Sequence, residues 1–301
     1  MISIAMTTYN GANFVAQQLD SIINQTIKDF ELIICDDGSS DNTLDIITKY
    51  ASNDSRIKII RNKNNLGFKK NFEQALKLCT GDYIALCDQD DIWEENHLEV
   101  LLNNIGNNYV IAGNNQLVDA EMKSLNSDFF SSHLFSLEKY PANTDILKKI
   151  LLSGNCFQGA SMLLKTDFLS CYLPLPEDIP YHDSWLAALA CSFDKFTCTP
   201  TIVTKYRQHE NQVTHNDKSN EGFAEKRVLF CNELLSRNPE TNIQTKKLII
   251  ESKKYFSNVL DFKHKVSQLK YWNENYKYLY PDKNTTKKII RLFKFLIISQ
   301  V

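Results

Sequence analysis

Three aspartates, Asp88, Asp90 and Asp91, fall within four consecutive residues directly after the apolar run Tyr83–Cys87. Neighbouring carboxylates repel one another, so this grouping is costly unless a cation is shared between them. Mg²⁺ and Mn²⁺ take oxygen ligands in proteins, usually one or two carboxylates together with phosphate oxygens and water. The pair Asp88 and Asp90 is therefore a candidate metal–diphosphate site. A solvated acidic turn is the alternative, because a two-aspartate pattern is common by chance.

A second acidic pair, Asp36 and Asp37, follows the β-like run of residues 30–35. A carboxylate at a strand end can accept hydrogen bonds from a nucleobase or a ribose hydroxyl, as in nucleotide-binding folds. The alternative is a helix-capping loop, for which Ser39 or Asp41 alone would suffice. Capping leaves the two consecutive aspartates unexplained, so both interpretations stay open for this motif on its own.

Thr8 and Tyr9 end the first apolar run, and the ring of Tyr9 offers a face on which a nucleobase can stack. A plain strand-to-helix turn is the alternative for that segment. Lys70 comes shortly after the loop of residues 65–67 and is a candidate point charge for a phosphate. An exposed helical face is the alternative for Lys70.

Asp183 lies in the segment of residues 181–185, at the start of an apolar stretch with helical character. It is a candidate general base, a group that must come within roughly 2.6–3.2 Å of a hydroxyl proton or reach it through one water. The alternative is a helix cap. The neighbouring His182 would orient or tune such a base, or would be polar packing.

Arg207 and His209 follow the short β-like run of residues 201–206. An arginine and an imidazole at a strand end are candidates for contact with a diphosphate or a metal ion. A lone histidine is more often structural, and that alternative applies to His209.

Alternation of β-like runs with helical spacing predicts which elements position these residues. Strands are predicted over residues 2–6, 30–35, 57–61 and 83–87, and helices over residues 14–24, 42–50 and 68–78. Such alternation is typical of an α/β fold with a parallel, doubly wound, Rossmann-like sheet. Ligands bind such sheets outside the carboxyl ends of the strands, so the polar clusters are expected to line one crevice.

The later chain is predicted to add strands over residues 110–113, 159–165 and 201–206, and a helix over residues 185–191. After Asn220 the composition becomes polar, with apolar residues at helical intervals. We therefore expect a catalytic domain over residues 1–215 and a helical C-terminal region over residues 216–301.

Composition limits the classes of function. The 301 residues carry 34 basic and 36 acidic side chains, and a net charge of −2 does not indicate a nucleic-acid binder. The eight cysteines form no Cys-x-x-Cys pair, which favours buried free thiols in a reducing cytosol over disulfides or a zinc site. The N-terminus does not resemble a signal peptide, and no run of 18 apolar residues is present. A cytoplasmic protein is expected.

The last segment, residues 283–301, interleaves lysine and arginine with isoleucine, leucine and phenylalanine. A basic amphipathic helix of this kind can lie on an anionic membrane surface, which would place the protein at the inner face of the membrane. Packing on its own domain or on a second subunit of a homo-oligomer is the alternative.

Taken together, the motifs resemble those of family 2 glycosyltransferases of the GT-A fold. The matching blocks, in order, are residues 7–11, 21–26, 35–43, 65–67 and 81–91. Later blocks are similar to the bacterial rhamnosyltransferase branch, at residues 88–93, 158–162, 181–185 and 206–211. The resemblance covers residues 2–212 and leaves the remaining C-terminal residues unexplained. Lys69-Lys70-Asn71 departs from the Arg-Asn pair of many members, which leaves the phosphate contact there open.

The resemblance implies a role for each matching residue. Asp88 and Asp90 would bind Mn²⁺ or Mg²⁺, and His209 would complete the metal or diphosphate shell. Asp36 or Asp37 would contact the nucleotide base above the loop of Thr8 and Tyr9. Asp183 would be the catalytic base of an inverting transfer from a nucleotide-diphospho-sugar donor.

The resemblance also implies dTDP-L-rhamnose as donor and a lipid-linked saccharide as acceptor, in cell-surface polysaccharide synthesis. UDP-glucose, UDP-galactose and UDP-N-acetylhexosamine stay open as donors. One rival function is a nucleotidyltransferase, a class that usually has a glycine-rich phosphate loop where this chain has only Gly11. Another is a nucleotide-sugar-binding module without turnover.

Overall fold

The fold centres on a mixed β-sheet flanked by helices. The computed structural model describes residues 1–179, 181–210, 212, 223–259 and 265–279. The first four strands are parallel, in the spatial order β3-β2-β1-β4. They are β1 (Ile2–Thr8), β2 (Phe30–Asp36), β3 (Ile57–Arg61) and β4 (Tyr83–Cys87), connected by α1 (Val15–Ile23), α2 (Thr43–Asn53) and α3 (Phe68–Leu78). The predicted parallel, doubly wound arrangement is thus confirmed for this part of the chain.

Beyond β4 the sheet becomes mixed. The order continues β4-β8-β6-β9-β5, with β8 antiparallel to both β4 and β6, and β9 parallel to β6. The short strands β5 and β7 pair antiparallel with β9 and β6. These strands are β5 (Ile92–Trp93), β6 (Val110–Val118), β7 (Ser124–Asp128), β8 (Met162–Lys165) and β9 (Phe196–Arg207). The strands β6 and β9 are longer than their sequence patterns indicate, and residues 159–161 form a 3₁₀ turn instead of strand.

Helices cover both faces of the sheet. On one face α1 and α2 pack with α4 (His97–Ile105), and on the other α3 packs with α6 (Asn143–Ser153) and α8 (His182–Ser192). The central strands β1 and β2 are buried along almost their whole length, as expected for parallel strands covered on both sides. The short helices α5 (Phe129–Ser132) and α7 (Leu169–Tyr172) complete this part of the fold.

The C-terminal residues are helical where the structure describes them. They form α9 (Phe223–Arg237), α10 (Ile243–Val259), α11 (Lys265–Glu274) and α12 (Tyr276–Leu279). Phe230 of α9 packs edge-on against Trp185 of α8, with ring centroids 5.6 Å apart, and Tyr278 of α12 donates to Asp145 of α6 at 2.7 Å. The division at residue 215 stays a prediction, and residues 283–301 lie outside the described part of the chain.

Two expectations about cysteines and membrane spans can be compared with the structure. All eight cysteines are free, six of them buried. Within the described residues, no helix combines the length and the hydropathy that crossing a bilayer requires.

Candidate active site

A crevice opens where β1, β2 and β4 end. It has a volume of about 1110 Å³, and further walls come from the end of β9, the start of α8 and from α9. Adjacent parallel strands place their carboxyl ends at one edge, so Thr8 pairs in register with Asp36, and Met6 with Cys87. The structure brings together seven of the predicted site residues along its walls: Thr8, Tyr9, Asp37, Asp88, Asp90, Asp183 and His209.

The two aspartates after β2 have different surroundings. Asp36 is fully buried, and its carboxylate accepts from the Thr8 hydroxyl and from the backbone and hydroxyl of Ser39. Asp37 lines the crevice, and its carboxylate accepts from the backbone N–H groups of Leu66 and Gly67 at 2.8 and 2.9 Å. Asp36 therefore shapes the loop, and of the two carboxylates Asp37 is the one placed for contact with a ligand.

Gln89 joins the loop after β1 to the acidic loop after β4. Its side-chain amide accepts from the Tyr9 N–H at 2.9 Å and donates to the Tyr9 carbonyl at 3.0 Å. A Cβ atom at Gly11 would lie 2.1 Å from the Gln89 amide oxygen, so this close approach requires glycine at position 11. The Tyr9 side chain stays half exposed at the rim of the crevice.

The acidic loop places its three carboxylates in distinct positions. Burial, followed by the nearby charges of Asp90 and Asp183, raises the pKa of Asp88 to about 8. Asp91 is fully buried, and its carboxylate accepts from the Arg207 backbone at 3.1 Å and from Gln158 at 3.2 Å. Gln158 also donates to Asp88 at 3.2 Å. Asp91 is thus a structural residue of the loop, whereas Asp88 and Asp90 line the crevice.

His209 comes from the end of β9 and meets the acidic loop. Its Nε2 lies 2.9 Å from a carboxylate oxygen of Asp90, and its ring packs against Phe14 with centroids 4.6 Å apart. The other ring nitrogen, Nδ1, is buried and has no hydrogen-bond partner in the described residues. Two potential metal ligands, the Asp90 carboxylate and the His209 imidazole, therefore lie next to each other.

The donor set fits a hard divalent cation. The raised pKa of Asp88 reflects carboxylates that are buried together without a compensating charge, a situation that a cation would relieve. In the part of the chain that the structure describes, no group of three or more acidic, histidine or cysteine side chains has metal-binding geometry. Mg²⁺ usually takes only one or two carboxylates and completes its shell with phosphate oxygens and water, so a sparse protein shell agrees with such a site.

Arg207 does not face the crevice. Its side chain is buried, donates to the Asp90 carbonyl at 2.8 Å and to the Ala120 carbonyl at 2.6 Å, and also reaches the side chain of Gln17. The guanidinium lies over the ring of Phe14 at 4.7 Å. Because these protein groups occupy its donors, Arg207 holds the acidic loop in place, and the structure gives it no position for direct contact with a diphosphate.

Lys70 lies away from the other predicted residues. It is exposed and lines a separate groove between α3 and residues 174–177. The neighbouring Lys69 donates to the carbonyls of Glu177 and Ile179. The structure therefore does not bring either lysine to the crevice.

Asp183 is at the start of α8 and lines the crevice. It accepts hydrogen bonds from the backbone of Ser184 and Gly159 and from the side chain of Asn155. Burial raises the pKa of Asp183 to about 6, and these hydrogen bonds oppose the rise. A carboxylate with a pKa close to neutrality is a better proton acceptor than an ordinary aspartate and is still ionised at pH 7.

His182 does not orient Asp183. Its ring stacks on Phe72 with centroids 4.3 Å apart, and neither ring nitrogen has a partner among the described residues. Burial lowers the pKa of His182 to about 4, so the ring is neutral at pH 7. His182 lines the crevice, but both ring nitrogens are buried beneath its surface, so the structure gives them no contact with a ligand.

Several crevice residues had no assigned role in the sequence. Gln89, Gln158 and Asn155 hold the acidic loop and Asp183, and their positions at strand and helix ends were the only available signal. No sequence signal indicated the apolar and basic residues that α9 contributes to the wall, because that helix is distant in sequence from the motifs. These residues are Phe223, Lys226, Arg227 and Phe230.

Comparisons with known proteins agree with the family resemblance of the sequence motifs. A family model described as "Glycosyl transferase family 2" matches residues 3–168. A UDP-Glc:alpha-D-GlcNAc-diphosphoundecaprenol beta-1,3-glucosyltransferase of Escherichia coli is 39% identical over 230 residues, which cover 72% of this chain and 80% of that protein.

Solved structures share the fold at low identity. The structure of S. aureus TarS 1-349 in complex with UDP-GlcNAc superposes with a TM-score of 0.63 at 17% identity, covering 92% of this chain and 81% of TarS 1-349. A mannosyltransferase from Pyrobaculum calidifontis, in complex with GDP-Man and Mn²⁺, gives 0.57 at 14% identity, covering 99% and 80%. These likenesses concern the fold, which is of the GT-A type.

Proposed function

This chain belongs to glycosyltransferase family 2, and on that premise we propose that it transfers a sugar, with inversion, from a nucleotide-diphospho-sugar to a hydroxyl of a saccharide. The observation that carries this proposal is one crevice that holds Asp37, the acidic loop of Asp88 and Asp90, and Asp183. Base recognition, diphosphate binding and proton removal are the three tasks that such a transfer requires, and each has a group in that crevice.

The nucleotide would lie along the ends of β1, β2 and β4. Asp37 has a carboxylate at the crevice for the base or ribose, and Tyr9 has an exposed ring for stacking. Asp90, together with either Asp88 or His209, would hold Mg²⁺ or Mn²⁺ beside the diphosphate, and phosphate oxygens and water would complete the shell. When bound, such a cation neutralises the charge that develops on the departing nucleoside diphosphate.

Asp183 would accept the proton of the attacking hydroxyl. Attack by that oxygen on the anomeric carbon, opposite the departing diphosphate, inverts the configuration in a single displacement through an oxocarbenium-like transition state. Asn155 and the Gly159 N–H fix the carboxylate by hydrogen bonds, which leaves it oriented before the acceptor binds. The apolar rings of Phe68 and Phe72 in the same wall would limit water near the reacting atoms.

UDP-glucose is the donor that the relatives support best. The E. coli relative that covers most of this chain is named as a UDP-glucose-dependent enzyme acting on a diphosphoundecaprenol-linked GlcNAc. We accordingly propose a UDP-hexose donor and a saccharide on a diphosphate-linked lipid as acceptor, in polysaccharide synthesis. Transfer of rhamnose from dTDP-rhamnose stays a prediction and is tested in the same experiment.

A thermal-shift screen tests the donor. UDP-glucose with Mn²⁺ is expected to stabilise the protein by about 2.7 kcal/mol at a hundredfold excess over its dissociation constant, because the donor binds only the folded state. The same donor with EDTA should give a clearly smaller shift. UDP-galactose, UDP-N-acetylglucosamine, GDP-mannose and dTDP-rhamnose, each with and without Mn²⁺, form the comparison set.

Two outcomes change the assignment. A metal-dependent shift with dTDP-rhamnose alone would replace the UDP-hexose donor and keep the mechanism. Equal shifts with and without metal for every nucleotide sugar would contradict the metal–diphosphate role of the acidic loop. Free UDP and free uridine are the controls that separate recognition of the base from recognition of the sugar.

The pH dependence of transfer tests the proposed base. Only ionised Asp183 can take the hydroxyl proton, and its pKa is raised to about 6. We expect kcat/KM to fall about tenfold per pH unit below pH 6 and to level off above pH 7. Asp88 and Tyr172 are the ionisable neighbours whose pKa responds to the charge of Asp183. The profile is measured at saturating metal to limit the contribution of Asp88. Full activity at pH 5 would be inconsistent with Asp183 as the base.

A further inference from the structure

One end of the crevice is basic. Helix α9 contributes Lys226 and Arg227 to the lining, and His133 lies in the same wall. Lys149 of α6 is close enough for its charge to lower the pKa of His133, and the charge of Arg227 in turn lowers the pKa of Lys149. The acidic loop, elsewhere in the lining, has the opposite sign. The crevice therefore contains both a part suited to a metal ion and a part suited to anions.

Lys149 is an unusual residue for a protein interior. Only 3% of its surface is exposed, and no hydrogen bond or ion pair joins its ammonium to any residue that the structure describes. Burial lowers the pKa of Lys149, the Cys156 thiol opposes that effect, and the charges of Lys139 and Arg227 add to it. Burying an unpaired charge is costly, and lysine is almost never fully buried without a partner.

Arg227 is half-buried and lines the crevice. One guanidinium nitrogen donates to the Ile150 carbonyl at 2.9 Å, and the group lies over the ring of Phe223 at 5.0 Å. Burial lowers the pKa of Arg227 to about 10, and no carboxylate among the described residues offsets that effect. Arg227 lines the crevice, and with one carbonyl partner among the described residues its guanidinium retains N–H donors for a ligand.

The basic end lies close to the proposed base. A Cβ atom on Gly154 would be 3.6 Å from a terminal nitrogen of Arg227, and the next residue, Asn155, hydrogen-bonds Asp183. The guanidinium and the carboxylate thus flank the same short segment before the 3₁₀ turn. An acceptor sugar bound with its hydroxyl at Asp183 would have its other end directed at Arg227.

We propose that Arg227 binds a phosphate of the acceptor, attached to the sugar whose hydroxyl is glycosylated, and that the nearby charge of Lys149 strengthens this binding. This inference rests on the proposed function and adds the chemistry that selects the acceptor. An anion at the guanidinium would offset the repulsion between Arg227 and Lys149, and guanidinium binds phosphate through paired N–H groups. The donor diphosphate has its own place at the acidic loop, so the basic end is left for the acceptor.

Three acceptors that differ only in the anion test the site. They are a GlcNAc diphosphate alkyl ester, the neutral GlcNAc alkyl glycoside, and a glucuronic acid alkyl glycoside with a carboxylate. The variants are Arg227→Gln, Arg227→Lys and Lys149→Met. The exposed Lys254→Gln on α10 is the matched control, because it also removes one positive charge from the C-terminal helices.

For Arg227→Gln, KM for the diphosphate acceptor should rise at least about tenfold, the loss expected for a charged hydrogen bond. The KM for the donor and for the neutral acceptor should stay unchanged. Arg227→Lys should recover part of the loss, Lys149→Met should act in the same direction, and Lys254→Gln should resemble the parent. Equal increases for charged and neutral acceptors would overturn the site, since a merely structural arginine affects both. Dependence on Arg227 for the glucuronide alone would overturn its assignment to phosphate.

A binding measurement separates this inference from the proposed function. Calorimetric titration of the diphosphate ester into the full-length protein, with EDTA and without donor, needs no transfer. Binding that requires Arg227, with no transfer from any donor, would support the anion site and contradict the proposed function. Transfer to the diphosphate ester with the same affinity for parent and Arg227→Gln would do the reverse.

Discussion

Replacing Asp183 with asparagine is expected to lower kcat by about 10²- to 10⁴-fold, the usual contribution of a positioned general base. The amide has nearly the same shape as the carboxylate but takes no proton at neutral pH. Binding of the donor should change little, because the donor side of the crevice is built from Asp37 and the acidic loop. The measurement is steady-state transfer together with calorimetric titration of UDP-glucose and Mn²⁺.

The stability of Asp183→Asn is a control for correct folding of this variant. Because folding raises the pKa of Asp183 from 3.8 to about 6, the free energy of unfolding falls as the pH rises between these two values, and the full loss is present at pH 7. Asparagine removes that unfavourable charge, so Asp183→Asn should be at least as stable as the parent at pH 7. The exposed Asp178→Asn is the matched variant outside the crevice and should keep full activity. Transfer by Asp183→Asn within threefold of the parent would remove Asp183 from the mechanism, whatever its stability.

Replacing Asp90 with asparagine is expected to cost at least about a hundredfold in metal affinity, since even groups behind a metal ligand are worth 10- to 100-fold. Asp90 faces His209 Nε2 at 2.9 Å, and loss of its charge leaves Asp88 as the remaining carboxylate of the acidic loop that lines the crevice. Activity at limiting Mn²⁺ should fall with the affinity and recover in part as the metal concentration rises. Calorimetric or paramagnetic-resonance titration of Mn²⁺ in the presence of UDP measures the change directly.

The control for Asp90→Asn is Asp167→Asn, an exposed carboxylate outside the crevice. That variant should bind Mn²⁺ and UDP like the parent. Unchanged Mn²⁺ affinity in Asp90→Asn would show that Asp90 is not a ligand. The variant His209→Ala should also lower the affinity for Mn²⁺, because the His209 imidazole lies next to the Asp90 carboxylate.

The gathering of Asp37, Asp88 and Thr8 at one edge was predictable from sequence. It follows from local periodicity and from the rule that parallel strands present their carboxyl ends together. The parallel order of the first four strands needs only short right-handed connections, which the chain signals through alternating patterns. Tyr83–Cys87 and Phe68–Leu78 coincide with the predicted strand and helix.

What the sequence did not predict depends on contacts between distant segments. Arg207 comes at the end of a strand, as the candidate ligand residues do, but its guanidinium donates to the carbonyls of Asp90 and Ala120, which are distant in the chain. The antiparallel insertion of β8 between β4 and β6 joins segments that lie far apart in sequence, and no local pattern encodes it. The same holds for α9, whose Arg227 reaches the crevice only through packing on α6 and α8.

The bidentate contact of Gln89 with Tyr9 has a consequence for redesign. Two hydrogen bonds between the Gln89 side chain and the Tyr9 backbone join the loop that would recognise the base to the loop that would bind the metal. Gly11 lies in close contact with the Gln89 amide. A grafted first loop that changes the backbone path at Tyr9, or adds a side chain at position 11, would lose this contact and disturb the second loop. We therefore expect a change of nucleotide preference to succeed more readily when residues 8–11 and 88–91 are transplanted together than when residues 8–11 are transplanted alone.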